Sequence, residues 1–140
     1  MLDSRAMASL NSLVPIEHFG LNVPDVEAAK AYFDEFLPMV GYVRQWETGY
    51  RPTDWNGAQL FIYPATEEGE HSRLRTGLSH ISFLVQTRAE VHRVHDWVVA
   101  RGDEVLHAPR LFPEYGETFY ATFFLDPHGF HLEVVTFEKV

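Results

Sequence analysis

Ile16-Glu17-His18-Phe19-Gly20-Leu21-Asn22-Val23 is answered 62 residues later by Leu78-Ser79-His80-Ile81-Ser82-Phe83-Leu84-Val85, with a histidine third in both segments. Alternation of apolar with small or polar residues reads as a half-buried strand, so the chain opens two strands in the same way. A helical pattern follows each. In the first half Asp25 can cap a helix through Val26, Ala29, Tyr32, Phe33 and Phe36 that must stop before Pro38, with Gly41 beyond. In the second, Thr87-Arg88-Ala89-Glu90 is a capping box opening a helix through Val91, Val94 and Val98 that ends near Gly102. Strands come next: roughly 42–46 and 58–63, with a loop rich in Gly, Pro and Trp between them, then 104–107, 118–125 and 130–137, the last two joined by Asp126-Pro127-His128-Gly129. Each half therefore reads strand, helix, then two or three strands. One such unit leaves a sheet face bare, so two must close on each other, within one chain or between two. The charged stretch 65–76 is the expected joint. Residues 1–14 read as a disordered tail or an overlong start with Met7 as the true initiator.

Composition narrows the function. The 140 residues carry 11 Lys+Arg against 20 Asp+Glu, a net charge of −9, which argues against a phosphate-backbone partner. With no cysteine there is no disulfide, thiolate metal site or cysteine nucleophile, so any metal must take nitrogen and oxygen ligands. No run of apolar residues approaches the ~18–20 of a membrane span, and Asp3 and Arg5 interrupt any signal peptide. The expectation is a soluble cytoplasmic chain without nucleic acid or membrane partners.

Side chains alternate across a strand. Phe19, Leu21 and Val23, like Ile81, Phe83 and Val85, form apolar rows suited to meet the helices. The opposite rows hold His18, Gly20 and Asn22 in one half and His80, Ser82 and Leu84 in the other, suited to a pocket wall. On the last strand His131 and Glu133 share a side, and an unpaired carboxylate there costs several kcal/mol, about 2–7, unless a cation faces it. Taken singly, each has a plain reading: a hydrogen-bonded histidine near a strand start, a half-exposed glutamate. The matching repeat positions of His18 and His80 favour joint use, two imidazoles and one carboxylate on one face of a divalent ion, with open positions for substrate.

The two apolar-x-His strands and the closing Phe-Phe-Leu-Asp-Pro-His-Gly-Phe-His-Leu-Glu-Val-Val of residues 123–135 resemble the vicinal oxygen chelate superfamily, which includes glyoxalase I, extradiol dioxygenases, fosfomycin-modifying enzymes and bleomycin-binding proteins. The resemblance covers about residues 15–137. It implies an α+β fold, two βαβββ modules forming a curved mixed sheet around a metal and substrate cavity, in one glyoxalase-like domain over 15–140 (module 1 about 15–64, linker 65–76, module 2 about 77–138). It implies His18, His80 and Glu133 as ligands of one divalent ion (Fe, Mn, Zn, Ni or Mg), a small-molecule substrate and a homodimer. Laying Gln59-Leu60-Phe61-Ile62 over His131-Leu132-Glu133-Val134 puts Phe61 where glyoxalase-type sites carry a fourth ligand, unless Gln59 substitutes. The extradiol pattern is weakened by Phe123 and by the lack of a suitable His between Glu114 and Thr122. A phosphonate site is disfavoured because Arg88, Arg93, Arg101 and Arg110 fall mostly in helix or loop.

Other residues carry smaller expectations. Tyr120, sharing a face with Thr122 and Phe124, could donate to a substrate oxygen if that face is concave; packing of its ring is as good a reading. His131 suits proton transfer, or support of Glu133. His92 and His95 read as a solvated helix face and His128 as a turn residue; Trp46, Tyr50 and Trp55 lean to a pocket mouth. The activity expected is a metal-dependent isomerase, lyase or ring-cleaving oxygenase acting on a small oxygen-chelating molecule. The rival is a metal-free drug- or metabolite-binding protein of the bleomycin-resistance kind.

Overall fold

Asp25 starts the first helix: its carboxylate accepts from the Ala28 amide at 3.0 Å, satisfying one of the free N–H groups that every helix end presents. Helix α1 (Val26–Phe36) then buries Ala29, Tyr32, Phe33 and Phe36, the i, i+3, i+4, i+7 stripe of an amphipathic helix. A 3-10 turn (Leu37–Val40) with Pro38 inside it follows, and Gly41 reverses the chain at φ 84. Both arms of the second helix's capping box form, Glu90 N to Thr87 Oγ1 at 3.2 Å and Thr87 N to Glu90 Oε2 at 3.1 Å. Helix α2 (Arg88–Arg101) buries Val91, Val94 and Val98 and ends at Gly102, φ 78.

The structure is a computed structural model and describes residues 14–140; the expectation for the tail, save residue 14, lies outside these. The chain divides into two compact units between Glu68 and Gly69. In the first, β1 (His18–Val23) and α1 precede β2 (Tyr42–Trp46), β3 (Gly49–Pro52) and β4 (Gln59–Pro64); in the second, β5 (Ile81–Leu84) and α2 precede β6 (Val105–Leu111), β7 (Tyr120–Leu125) and β8 (His131–Thr136). Each unit is thus βαβββ with a mixed four-stranded sheet, ordered β1-β4-β3-β2 and β5-β8-β7-β6. In both, the opening strand pairs in parallel with the closing one. The two-module α+β expectation holds.

Two details differ from the sequence reading. The supposed loop between 46 and 58 contains β3, whose Gly and Pro are poor strand formers but which is held by pairing with both β2 and β4. Strand β6 runs past His107 to Leu111, with register shifts on both sides of His107; Pro109 is tolerated because β6 is an edge strand. The alternation follows the sequence: Leu21, Val23, Phe83 and Val85 are buried, while His18, Gly20, Asn22, His80, Ser82 and Leu84 are exposed. In the second unit the face away from α2 is not bare, since Phe112, Ala121, Phe123 and Val135 form a small buried cluster on it.

Candidate metal centre

The turn before β8 fixes where the site residues stand. Asp126 Oδ1 accepts from His128 N at 2.9 Å and Phe130 N at 2.8 Å, and Gly129 turns at φ 90. His128 is a turn residue, as expected. Strand β8 then begins with His131, and its period of two sets Glu133 on the same side. Parallel pairing of Ser82 with Glu133 brings His80, two residues before Ser82, level with His131.

Ligand atoms of His80, His131 and Glu133 all lie within 4.8 Å of one another. Glu133 Oε2 is 3.8 Å from His80 Nε2 and 2.9 Å from His131 Nε2. Metal–nitrogen and metal–oxygen bonds of ~2.1 Å place ligand atoms at most about 4.2 Å apart, so small side-chain rotations would bring all three onto one ion. The 2.9 Å approach lacks hydrogen-bond alignment, and His131 Nε2 is a buried nitrogen with no hydrogen-bond partner among the described residues. His80 keeps its other nitrogen, Nδ1, on Ser79 Oγ at 2.9 Å.

Electrostatics point the same way. Burial, reinforced by the nearby His80, Arg73 and His107, pushes the His131 imidazole down to about 4, so at neutral pH it is uncharged and has a lone pair to give. Burial raises Glu133, against the pull of His80. A side chain only 8 % exposed holds a carboxylate whose charge is poorly solvated, and a divalent cation would compensate it. An orphaned imidazole nitrogen beside a desolvated carboxylate fits a metal of the nitrogen/oxygen-ligated kind.

The remaining predicted residues lie on other strands. His18 stands at the start of β1 in the first unit, where Nδ1 meets the Glu17 carboxylate and the ring lies edge-on to Phe61 at 5.5 Å. Tyr120 is on the α2 side of its sheet, the opposite side from Glu133, because β7 pairs Phe123, not Thr122, with Glu133; its hydroxyl is 2.5 Å from His92 Nε2 and Arg88 lies over its ring at 4.3 Å. Tyr120 and Glu133 thus lie on opposite faces of the sheet. Tyr50, expected at a pocket mouth, is core: it is fully buried and donates to Asp34 Oδ1 at 2.9 Å. Gln59 pairs with His18 and Phe61 with Gly20 across β1 and β4, as His131 and Glu133 relate to β5, so Phe61 does occupy the position that corresponds to Glu133. Sequence reasoning left out Arg73 and His107. Only the strand register reveals His107, which pairs with Phe123, itself beside Glu133; nothing in the sequence marks Arg73.

Residues 15–134 match the Glyoxalase/Bleomycin resistance protein/Dioxygenase superfamily, and the chain belongs to it. It is 30% identical over 127 residues to the uncharacterised protein YqjT of Bacillus subtilis, covering 86% of this chain and 97% of that one. Among solved structures it is similar to a candidate glyoxalase from Bacillus halodurans (TM-score 0.71, 25% identity, 91% and 98% of the two chains). It shares its fold with a genomically encoded fosfomycin resistance protein of Listeria monocytogenes (TM-score 0.63, 16% identity, 88% and 93%) and with a lactoylglutathione lyase of Agrobacterium tumefaciens (TM-score 0.60, 18% identity, 86% and 92%).

Proposed function

We propose that the chain is a divalent-metal-dependent enzyme acting on a small organic molecule that chelates through neighbouring oxygens, by isomerase, lyase or ring-cleaving chemistry. The observation that carries this reading is the convergence of His80, His131 and Glu133 on one face of the second unit. A bound cation would act as a Lewis acid that polarises the substrate oxygens. His80 and Glu133 keep the roles the resemblance implies. His131 fits ligation better than proton transfer, because an imidazole held near 4 has little proton affinity at neutral pH. Phe123, stacked on Phe112 and 5.5 Å from the His131 ring, screens the cluster from water on one side. His18 is the further ligand that the resemblance implies, and its variant decides its part. In this reading the enzyme works in the cytoplasm as a homodimer.

Metal analysis of protein purified without a histidine tag tests this. About one ion per chain is expected, abolished in His80→Ala, His131→Ala and Glu133→Gln; loss in His18→Ala as well would add that residue to the ligand set. Negligible metal in every preparation, after incubation with Fe, Mn, Zn, Ni and Mg salts, would overturn the reading in favour of a metal-free binder.

A further inference from the structure

The segment that leads into β5 is a folded loop tied at both ends to the candidate metal centre. At its start the His71 ring lies on Phe130, with centroids 4.5 Å apart and planes at 31°. The His71 carbonyl oxygen also comes within 3.6 Å of the place a Cβ would take on Gly129. Phe130 is buried and directly precedes His131. At its other end the loop runs through Gly77 and Leu78 into Ser79 and His80. Between these points the chain closes a turn, Arg75 N donating to the Ser72 carbonyl at 3.2 Å and Leu74 N to Ser72 Oγ at 3.2 Å. Arg73 and Leu74 are therefore its two corner residues, and Arg73 stands only two positions from the anchor on Phe130.

The two arginines of this loop are used differently. Arg75 closes it, its Nη1 donating to the Glu70 carbonyl at 3.0 Å. Arg73 has no hydrogen-bond or ion-pair partner among the described residues, although its guanidinium offers five N–H donors. Its charge nonetheless bears on the His131 ring, as a charge does within a reach of about 10 Å in salt. The chargeable groups that act on His131 with it are His80 and His107, and the carboxylate of the cluster is Glu133. On a chain with a net charge of −9 this is a locally cation-rich place. A divalent ion on Glu133 would leave an excess of positive charge there, and Arg73 adds to it.

We infer that Arg73 anchors a carboxylate of the substrate, so that the site in the second unit takes a small carboxylate-bearing molecule and not a neutral one. The planar fork of a guanidinium matches a carboxylate with two parallel hydrogen bonds. The acidic remainder of the chain repels an approaching anion unless a fixed cation receives it. A doubly charged phosphonate would call for more than one unpaired arginine. Only the claim that further oxygens of the same molecule reach an ion rests on the function proposed above. The carboxylate anchor itself needs no metal.

The test uses the full chain, ¹⁵N-labelled, both as purified and after removal of metal by a chelator. Lactate and its uncharged amide, lactamide, are the probes, at constant ionic strength. The Arg73 Nε–H resonance should move saturably with lactate, and lactamide should bind at least about ten-fold more weakly. Arg73→Gln should weaken lactate at least about ten-fold, and Arg73→Lys, which keeps the charge and loses the fork, by less. Arg93→Gln removes the same charge from an exposed position on α2 and should leave lactate binding unchanged. Backbone spectra check that each variant keeps the fold. Equal binding of lactate and lactamide, a lactate affinity unaltered in Arg73→Gln, or one weakened equally in Arg93→Gln would overturn the inference. Tighter binding of 1-hydroxyethylphosphonate than of lactate would overturn the choice of carboxylate. Lactate binding that requires Arg73 while no preparation takes up an ion would overturn the proposed function and leave the anchor standing; a bound ion with no effect of Arg73→Gln would overturn the anchor alone.

Discussion

At matching places in the two units, one closing strand presents Gln59 and Phe61 and the other His131 and Glu133. The backbone is the same, a parallel pair with side chains alternating at period two. In the first unit the position faces a stack of rings over glycine; in the second it faces two imidazoles and carries a carboxylate only 8 % exposed. A duplicated scaffold thus fixes where a side chain points, and residue type decides whether that place carries a packed ring or a carboxylate beside two imidazoles.

The sharpest way to break this comparison is to exchange the chemistries. Phe61→Glu would bury a carboxylate among Trp46, Tyr63 and the sheet, losing a packed ring and desolvating a charge; we expect a loss of about 4 kcal/mol, read by urea unfolding. A loss below about 1 kcal/mol would show that the ring is not packed as described. Next in size, Glu133→Gln should weaken binding of Mn²⁺ or Zn²⁺ about 100-fold, equivalent to about 2.7 kcal/mol, while leaving the metal-free protein as stable as before or slightly more so, because an uncompensated buried charge is removed. Calorimetric titration and thermal melts measure the two effects separately.

The pH dependence of the metal-free protein comes third. His131 sits at about 4 against an ordinary 6.5, so between those values the unfolded chain binds the extra proton, and stability falls as pH drops through that window, on the order of 2 kcal/mol. Glu133 is raised, which works in the opposite sense: its contribution is lost as pH rises. The two partly cancel in the wild-type protein. Glu133→Gln should expose the His131 slope as a steeper acid destabilisation between pH 6.5 and 4, and His131→Gln should remove it. Parallel slopes in all three proteins would contradict the burial of both groups. Smallest is Tyr120→Phe, which removes a hydroxyl bonded to His92 on the far side of the sheet; a loss of about 1 kcal/mol or less and unchanged metal affinity are expected. A large metal effect would return Tyr120 to the site.

Much of the fold could be read from the chain because the signals were local: Asp25 and Thr87 as caps, Gly41 and Gly102 as stops, and a histidine-bearing strand repeated in register. Strand β3 could not, since Gly49–Pro52 is made a strand by its neighbours on both sides. The same division runs through the site. Strand periodicity alone sets His131 and Glu133 on one side and the repeat marks His80, but in the sequence His131 reads as a proton-transfer or supporting residue and His18 as the second imidazole ligand. Which face Tyr120 takes, and that His107 comes near, depend on the β6–β7–β8 register, a long-range fact with no trace in local pattern. Tyr50 looked like a pocket residue because an aromatic in a Gly/Pro-rich stretch carries no mark that distinguishes core from mouth.

The central claim is that His80, His131 and Glu133 bind one ion. Anomalous diffraction from crystals soaked in Mn²⁺ tests it most directly. The account predicts a single strong peak about 2.0–2.3 Å from His80 Nε2, His131 Nε2 and a Glu133 carboxylate oxygen; a peak beyond bonding reach of any two of these, or none at saturating Mn²⁺, would contradict it.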